Sequence, residues 1–448
     1  MRTTNYIITA LAAVMLLAGC EKKSYVAAFD ELPQERVAKQ IDSVKTILTG
    51  AENGWIGVLS TGTGGGFGFF MEFDAQENVN MVADLTNASA TTMKASRYRV
   101  RQDAGVALSF DTYNYISMLI SPDPTIYGGI VREGFRSDVD FIYDHATADS
   151  IIFVGKRYRQ LFKLVKATAD QKSKYTSGVF ATDVTALKNF FSLNSNNYIE
   201  IDGVKVLMLA ATDSTLSTGK RLTFIGVGND GVTSVTRKFG YAIGNMNFAD
   251  NDVKYWGKSL NRVGWKGANS LAAYDDAGTE YLVRQSPQPF IDFTNVYAYN
   301  LFYNSIFAPT GSLPPGVVSD FNAIYSALVA RFASSGRVIR DFEVKLNNSS
   351  TLAIRMNYYA SATPASVFLA EALSTYTFQD GIIRLTGSLS INGNWNTRAT
   401  QIGDFGTFFQ GKSFKPDWVS SSVPGLNIGG LYRVDQPTAF VYGLMRRS

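Results

Sequence analysis

Apolar side chains recur at every second position over long parts of this 448-residue chain. The clearest run is Phe67, Phe69, Met71 and Phe73, which alternate with Gly68, Phe70 and Glu72. Successive side chains of a strand point to opposite faces, so this period of two describes strands with one buried face and one solvated face. We therefore predict an antiparallel β-meander over residues 55–167.

Helical signals flank and interrupt this meander. Pro33 is placed to begin a helix and Gly50 to end it, and between them apolar residues share one face, which predicts a helix packed against the strands. A helical turn is predicted near residues 113–119. The last predicted strands, 151–154 and 160–166, are similar to those of lipocalin-like barrels, whose lumen holds a ligand. This is an analogy of fold alone.

A second β-rich region follows the polar stretch 167–175, which we interpret as a domain boundary. The predicted domains are 30–170, the N-terminal helix with the meander, and 171–448, a β-rich domain for which a further division near residue 290 is left open. Helices are expected at 183–191 and 319–332, so the predicted fold class is mainly β (α+β). Hairpin turns are predicted at Asp202-Gly203, Asp230-Gly231, Asp380-Gly381 and Asn392-Gly393.

The first twenty residues resemble a bacterial lipoprotein leader. Arg2 is followed by an apolar stretch, residues 6–17, and Leu17-Ala18-Gly19-Cys20 forms a lipobox. We predict cleavage of residues 1–19, lipidation of Cys20 and a short tether over 20–29, with the acyl chains as the membrane attachment. The alternative is a soluble secretory signal with an incidental cysteine. The first interpretation predicts an outer-membrane lipoprotein on the periplasmic or the cell-surface face.

Composition excludes several classes of function. The 42 Lys and Arg barely exceed the 38 Asp and Glu, and no long basic run occurs, so a nucleic-acid partner is not expected. His145 and Cys20 are the only histidine and cysteine, which argues against Ser-His-Asp triads, Cys-His pairs and His-rich metal sites. No cofactor is predicted.

Three motifs that resemble ligand sites have simpler interpretations. Residues 406–413 match the Walker A pattern, but Pro416 would interrupt the helix that a phosphate loop needs. Residues 226–231 match GxGxxG, yet a strand-like sequence follows them, which favours a turn. Asp250-Asn251-Asp252 offers oxygen ligands for Ca²⁺, but Asn261 stands where an EF-hand loop needs Glu.

Carboxylates and tryptophans are the remaining candidates for function. Glycoside hydrolysis needs only two carboxyl groups, but Glu133, Asp138 and Asp140 fit better as a solvated, salt-bridged strand face. Trp256 and Trp265 lie in a Gly-rich, polar segment, and exposed indole rings stack on the apolar faces of sugars or other planar groups. Packing in the core is the alternative for each of them. We name these two tryptophans as the candidate ligand-binding residues and assign no catalytic residue.

Short motifs in the N-terminal half carry a family resemblance: Phe29-Asp30-Glu31, Glu52-Asn53-Gly54-Trp55, Phe110-Asp111-Thr112-Tyr113, Pro122-Asp123-Pro124 and residues 133–138, Glu-Gly-Phe-Arg-Ser-Asp. With the lipobox, they make the chain resemble Bacteroidota lipoproteins of domain-of-unknown-function family 4302. The resemblance implies an accessory lipoprotein associated with SusC/SusD-like outer-membrane uptake systems. It transfers no catalytic residue.

The expected function is therefore a lipid-anchored cell-envelope protein that binds a glycan or peptide and performs no chemistry. Two alternatives stay open: a carboxylate-only glycoside hydrolase, and a purely structural subunit of an outer-membrane complex.

Overall fold

The structure is a computed structural model that describes residues 32–194, 196–228, 231–250, 254–360, 363–423 and 426–447. These residues form three antiparallel sheet systems in chain order, of which the first and third are closed barrels. Strands make up 46% and helices 21% of the residues that the structure describes. The predicted mainly β fold class, with a second β-rich region, is confirmed.

The first barrel closes because β1 pairs with both β2 and β8. Its interior is filled by aromatic side chains such as Phe69, Phe141 and Phe162, and Val44 and Leu48 of the N-terminal helix pack against the same cluster. This interior therefore differs from the ligand-holding lumen of a lipocalin. The elements are α1 (Pro33–Thr49), β1 (Trp55–Ser60), β2 (Gly66–Phe73), β3 (Asn78–Ala83), α2 (Asn87–Thr91), β4 (Lys94–Gln102), β5 (Val106–Phe110), α3 (Tyr115–Met118), α4 (Pro124–Tyr127), β6 (Asp140–Ala146), β7 (Ser150–Gly155) and β8 (Leu161–Lys166).

The middle sheet has ten strands, and the segment 280–285 links its two ends. The first half of that segment pairs with β16 and the second half with β9. The elements are α5 (Ala169–Thr176), α6 (Val179–Leu193), β9 (Asn197–Ile201), β10 (Val204–Ala211), β11 (Arg221–Gly228), β12 (Gly231–Ala242), β13 (Asn245–Phe248), β14 (Lys254–Tyr255), β15 (Lys258–Lys266), β16 (Ser270–Asp275), β17 (Glu280–Leu282) and β18 (Arg284–Gln285).

The third system is a second closed barrel, completed by the pairing of β19 with β26. Helix α7 packs the apolar side chains Phe321, Tyr325, Leu328 and Phe332 into its core. The elements are a 3₁₀ turn (Phe293–Asn295), β19 (Ser305–Ala308), a 3₁₀ turn (Pro309–Gly311), α7 (Phe321–Ser334), β20 (Arg337–Leu346), β21 (Thr351–Ala360), β22 (Thr363–Gln379), β23 (Ile382–Ile391), α8 (Gly393–Thr397), α9 (Ala399–Ile402), α10 (Asp404–Thr407), β24 (Ser413–Trp418), β25 (Ile428–Arg433) and β26 (Phe440–Arg446).

Two turn predictions are confirmed and one is wrong. Asp202-Gly203 and Asp380-Gly381 join paired strands, and all four residues have positive φ. Asn392-Gly393 is not a hairpin turn: the Asn392 side chain accepts a hydrogen bond from the backbone N–H of Trp395 and caps α8. Asp230 lies outside the described residues.

The polar stretch 167–175 is helical over most of its length. Thr168 caps α5, because its hydroxyl accepts from the backbone N–H of Gln171 while the Gln171 side chain accepts from the Thr168 N–H. This reciprocal capping explains how a polar sequence with little apolar periodicity begins a helix. The proposed division of the chain into domains remains a prediction.

Candidate functional site

Glycines bring the first barrel and the middle sheet into backbone contact. A Cβ atom added to Gly240 of β12 would lie 2.6 Å from the backbone nitrogen of Gly68 in β2, and one added to Gly68 would overlap the Tyr241 carbonyl oxygen. Neither glycine has a positive φ. Their role is therefore close approach of two strands rather than an unusual backbone conformation.

A buried ion pair lies at the same junction. The Lys220 ammonium donates to Asp84 Oδ2, and both side chains are 0% exposed. The backbone N–H of Tyr241 donates to the same oxygen at 2.7 Å, and the Lys220 Nζ is 4.4 Å from the centroid of the Phe67 ring. Burial lowers the pKa of Lys220 to about 8, while the Asp84 carboxylate acts in the opposite direction. The pair therefore connects the two sheet systems.

A groove of about 670 Å³ lies between the outer surfaces of these two systems, and we call it the interface groove. Its barrel wall consists mainly of alternate residues of β1 and β8, which the strand period places on the outside of the barrel. Four are apolar and one is basic: Ile56, Val58, Leu161, Val165 and Lys163. Lys166, at the end of β8, also lines the groove, so this wall is an apolar strip with two cations.

The sheet wall of the interface groove is polar. Asn247, Arg262 and Tyr274 are register partners on β13, β15 and β16, so they form a row across three strands. The Arg262 guanidinium lies 4.1 Å from the centroid of the Tyr274 ring. Within the residues that the structure describes, no acidic side chain forms a salt bridge with Arg262. Asp250 and Asp276 also line the groove, so Arg262 is one of several charged groups there that a ligand can contact.

Trp265 lies at one end of the interface groove and is half-buried. Its indole packs edge-on against Phe190 of α6, with ring centroids 5.8 Å apart. The same side chain borders an adjacent pocket of about 650 Å³, which also contains Asp170 and Asp183. Trp265 thus contributes to two neighbouring cavities, an arrangement that suits an extended ligand.

Trp256 lies in a different place. It occupies the turn between β14 and β15, its ring stacks on Tyr255 at 5.2 Å, and it covers Gly226, where a Cβ would approach the indole to 2.7 Å. The residues that line the interface groove do not include it. The structure therefore does not bring the two candidate tryptophans together, and the assignment of either to ligand binding remains a prediction.

The carboxylate cluster of the sequence analysis lines a separate pocket of about 710 Å³ at the rim of the first barrel. Glu133 pairs with Arg136 at 2.6 Å, an interaction that lowers the pKa of this carboxyl, and Asp140 pairs with Arg101 at 3.1 Å. The expectation of a solvated face is wrong for Asp138, which is buried. Its carboxylate accepts from two consecutive backbone N–H groups, at residues 157 and 158, and so anchors the turn after β7.

The remaining motifs have structural roles. Phe408 and Phe409 of the Walker-like segment are buried and β24 follows them, so no phosphate loop forms there. Gly228 and Gly231 are partners in the hairpin of β11 and β12, as predicted for the GxGxxG segment. His145 is exposed beside Asp144 on β6.

Asp250 accepts from the backbone N–H of Lys238 at 2.6 Å, whereas Asn251 and Asp252 lie outside the described ranges, as does Cys20. Across the residues that are described, no group of three or more His, Cys, Asp or Glu side chains could hold a metal ion. None of the helices found there is both long and apolar enough to cross a bilayer.

Sequence reasoning missed most of the interface groove. The alternation of Asn245 and Asn247 with Met246 and Phe248 is visible in the sequence and indicates that the two amides share a strand face. What the sequence does not reveal is that this face lies opposite the outside of β1 and β8, because the contact depends on glycines far apart in the chain.

Comparisons with known proteins identify one family. No curated protein matches the chain. One solved structure, a DNA polymerase III subunit beta DnaN sliding clamp from Bartonella birtlesii LL-WM9, aligns with 92% of this chain and 98% of its own at 10% identity. Its TM-score of 0.13 carries no argument about fold or function. Residues 27–266, more than half of the chain, match the model of a family described as "Domain of unknown function (DUF4302)". The chain therefore belongs to the DUF4302 family.

Proposed function

We propose that this protein is a non-catalytic binding protein of the cell envelope and that the interface groove binds a glycan. The observation that carries the proposal is the position of Trp265 at the end of the groove that contains the Asn247, Arg262 and Tyr274 row. Aromatic rings pack on the apolar faces of sugars, and planar amide and guanidinium groups hydrogen-bond with sugar hydroxyls. A polar wall opposite an apolar strip supplies both kinds of contact.

A glycan fits this groove better than a peptide that adds a strand. Peptides are often bound at a sheet edge, whose unpaired N–H and C=O groups supply the affinity. β1 and β8 are paired on both sides, and so are β13, β15 and β16. Recognition must therefore come from side chains, which favours a ligand with many hydroxyl groups.

The proposal includes attachment and partners. Lipidation of Cys20 would hold the protein at the outer membrane, on its periplasmic or cell-surface face, and a SusC/SusD-like uptake complex would take up the captured glycan. Gentle detergent extraction through a C-terminal tag, followed by mass spectrometry, tests both parts. We expect an acylated Cys20 peptide and a co-purified transporter. An unmodified Cys20 would contradict the anchor, and recovery of the protein alone would contradict the complex.

Trp265→Ala is expected to weaken glycan binding by about tenfold, because it removes the aromatic surface at the end of the groove. The ligand would first be identified by native affinity electrophoresis with a panel of neutral and acidic polysaccharides, and affinities would then be measured by isothermal titration calorimetry.

Trp256→Ala is the matched control, because it removes the same side chain from the same sheet but outside the groove. We expect its affinity to equal that of the wild type. Equal loss in both variants would indicate a general effect on the sheet, and an unchanged affinity in Trp265→Ala would remove the groove as the site.

One observation favours the second candidate, a carboxylate-only glycoside hydrolase. Asp183 lines the adjacent pocket, which has Trp265 in common with the interface groove. Burial raises the pKa of the Asp183 carboxyl, and the general acid of such an enzyme needs a raised pKa. However, Asp183 also accepts from the backbone N–H of Gly244 at 3.0 Å, which connects α6 to the turn after β12. This hydrogen bond is a structural role that accounts for the half-buried Asp183 without any catalysis.

The two candidates predict different outcomes for Asp183→Asn. Under the binding proposal, the wild type releases no reducing ends from any bound polysaccharide, and the variant retains its affinity. Release by the wild type that is abolished in a folded Asp183→Asn variant would establish the hydrolase and overturn the non-catalytic assignment.

A further inference from the structure

A small pocket lies away from the interface groove, where the middle sheet meets the segment before the third barrel. Its volume is about 260 Å³, and it is bounded by β10, β11, β12, residues 295–302 and Arg447. The polar side chains that line it are two arginines, four hydroxyl residues and two amides, and none is acidic: Arg221, Arg447, Thr218, Thr223, Ser234, Thr236, Asn295 and Asn300.

Both arginines are held in place by backbone carbonyl groups rather than by carboxylates. Arg221 donates from Nη1 to Ser217 O at 2.9 Å and from Nη2 to the carbonyl oxygens of Thr63 and Gly64 at 3.1 Å. Arg447 donates from Nη1 to the carbonyl oxygens of residues 299 and 301. These bonds fix the positions of the two guanidinium groups and leave the Nε and Nη2 donors of Arg447 for another acceptor.

The lining of the pocket carries two cationic side chains and no carboxylate among the described residues. Within the described ranges, neither arginine forms a salt bridge with an acidic side chain. Burial lowers the pKa of both. For Arg221, Asp250 outside the pocket lining acts in the opposite direction, and Arg447 lowers the pKa by a smaller amount. Two partly desolvated cations close together are unfavourable unless an anion compensates them.

Neutral donors complete the lining. The hydroxyl groups of Thr223 and Thr236 lie 2.8 Å apart, and only one of them donates to the other, so the second hydroxyl hydrogen is available to a ligand. Guanidinium groups together with hydroxyl and amide donors are the groups by which proteins bind phosphate and sulfate.

We infer that this pocket, formed around Arg221 and Arg447, binds a tetrahedral oxyanion, either as free sulfate or phosphate or as the sulfate or phosphate ester of a larger ligand. The pocket and the interface groove have no lining residue in common. The anion-binding inference can therefore be tested independently of the proposed glycan binding.

Isothermal titration calorimetry at constant ionic strength tests the inference, with sodium sulfate and sodium phosphate as probes and sodium chloride as the reference. We expect the wild type to bind a tetrahedral anion, and Arg447→Gln to bind it at least about tenfold more weakly through loss of a charge-assisted contact. Arg340→Gln is the matched control, because it removes the same charge from an exposed strand position, and its affinity should equal that of the wild type.

Thr236→Val provides a second test if Arg447→Gln fails to fold, because its side chain is exposed and makes only a local hydroxyl contact. We expect about threefold weaker binding. N-acetylglucosamine 6-sulfate and its unsulfated parent distinguish the two sources: tighter binding of the sulfated sugar than of free sulfate indicates an ester ligand, and the reverse indicates a free anion. Wild-type protein that binds neither anion better than chloride, or unchanged affinity in the arginine or the threonine variant, would overturn the inference.

Discussion

Asp84→Asn should lower the free energy of unfolding by about 3–5 kcal/mol at pH 7, because it leaves the Lys220 ammonium buried without its carboxylate. Asp84 and Lys220 are fully buried at the junction between the first barrel and the middle sheet. Urea denaturation followed by intrinsic fluorescence measures the change.

The same variant should show a characteristic pH dependence. The pKa of Lys220 in the wild type is about 8, below the ordinary 10.5, and removal of the Asp84 carboxylate lowers it further. The folded state then binds fewer protons than the unfolded state, so the free energy of unfolding rises as the pH increases. In the wild type this rise begins near pH 8, whereas in Asp84→Asn it begins at lower pH.

Asp84→Asn combined with Lys220→Met is the control. Methionine removes the buried charge, and the amide oxygen of the introduced asparagine can still accept from the backbone N–H of Tyr241, as the Asp84 carboxylate does in the wild type. We expect the double variant to recover most of the lost stability. A double variant as unstable as the single one would show that the charge itself is not the cause.

Gly68→Ala is expected to destabilise the protein by about 3 kcal/mol, the upper end of the usual range for overpacking. The added Cβ would overlap the carbonyl oxygen of Tyr241, which belongs to the backbone of a central strand and cannot rotate away as a side chain can. The expected result is a lower urea midpoint, with loss of contact between the first barrel and the middle sheet.

Gly393→Ala makes the same chemical change at an open position. No atom lies within 4 Å of the added Cβ, the φ of Gly393 is not positive, and the residue begins α8. Its effect should stay within about 0.5 kcal/mol. If Gly68→Ala changed the free energy of unfolding as little as Gly393→Ala does, the close approach of β2 and β12 would not be what holds the two sheet systems together.

The local features of the fold could be predicted from the sequence because they depend on near neighbours. The Asp-Gly turns are such a signal and are confirmed. The period of two correctly predicts the strand β2, but the solvated face expected from it is wrong, because Gly68 and Phe70 are buried against the middle sheet. Asn392-Gly393 was mispredicted because the same pair suits a type I′ turn and a helix cap, and the choice depends on whether Trp395 can be buried in the third barrel.

The candidate site could be predicted only in part. Trp265 can be named as a candidate from the sequence alone. That Arg262 and Tyr274 lie side by side follows only from the pairing of β15 with β16. Arg221 and Arg447 come together from distant parts of the chain, so no local spacing indicates their pocket. Asp138 resembles a solvated strand residue until the turn after β7 folds onto it.

A crystal structure of the protein with the tightest-binding oligosaccharide of the panel tests the central claim most directly. We expect the sugar in the interface groove, with one ring against Trp265 and hydroxyl groups hydrogen-bonded to Arg262 and Asn247. An oligosaccharide bound elsewhere on the protein, with the groove unchanged, would contradict the assignment of the glycan site.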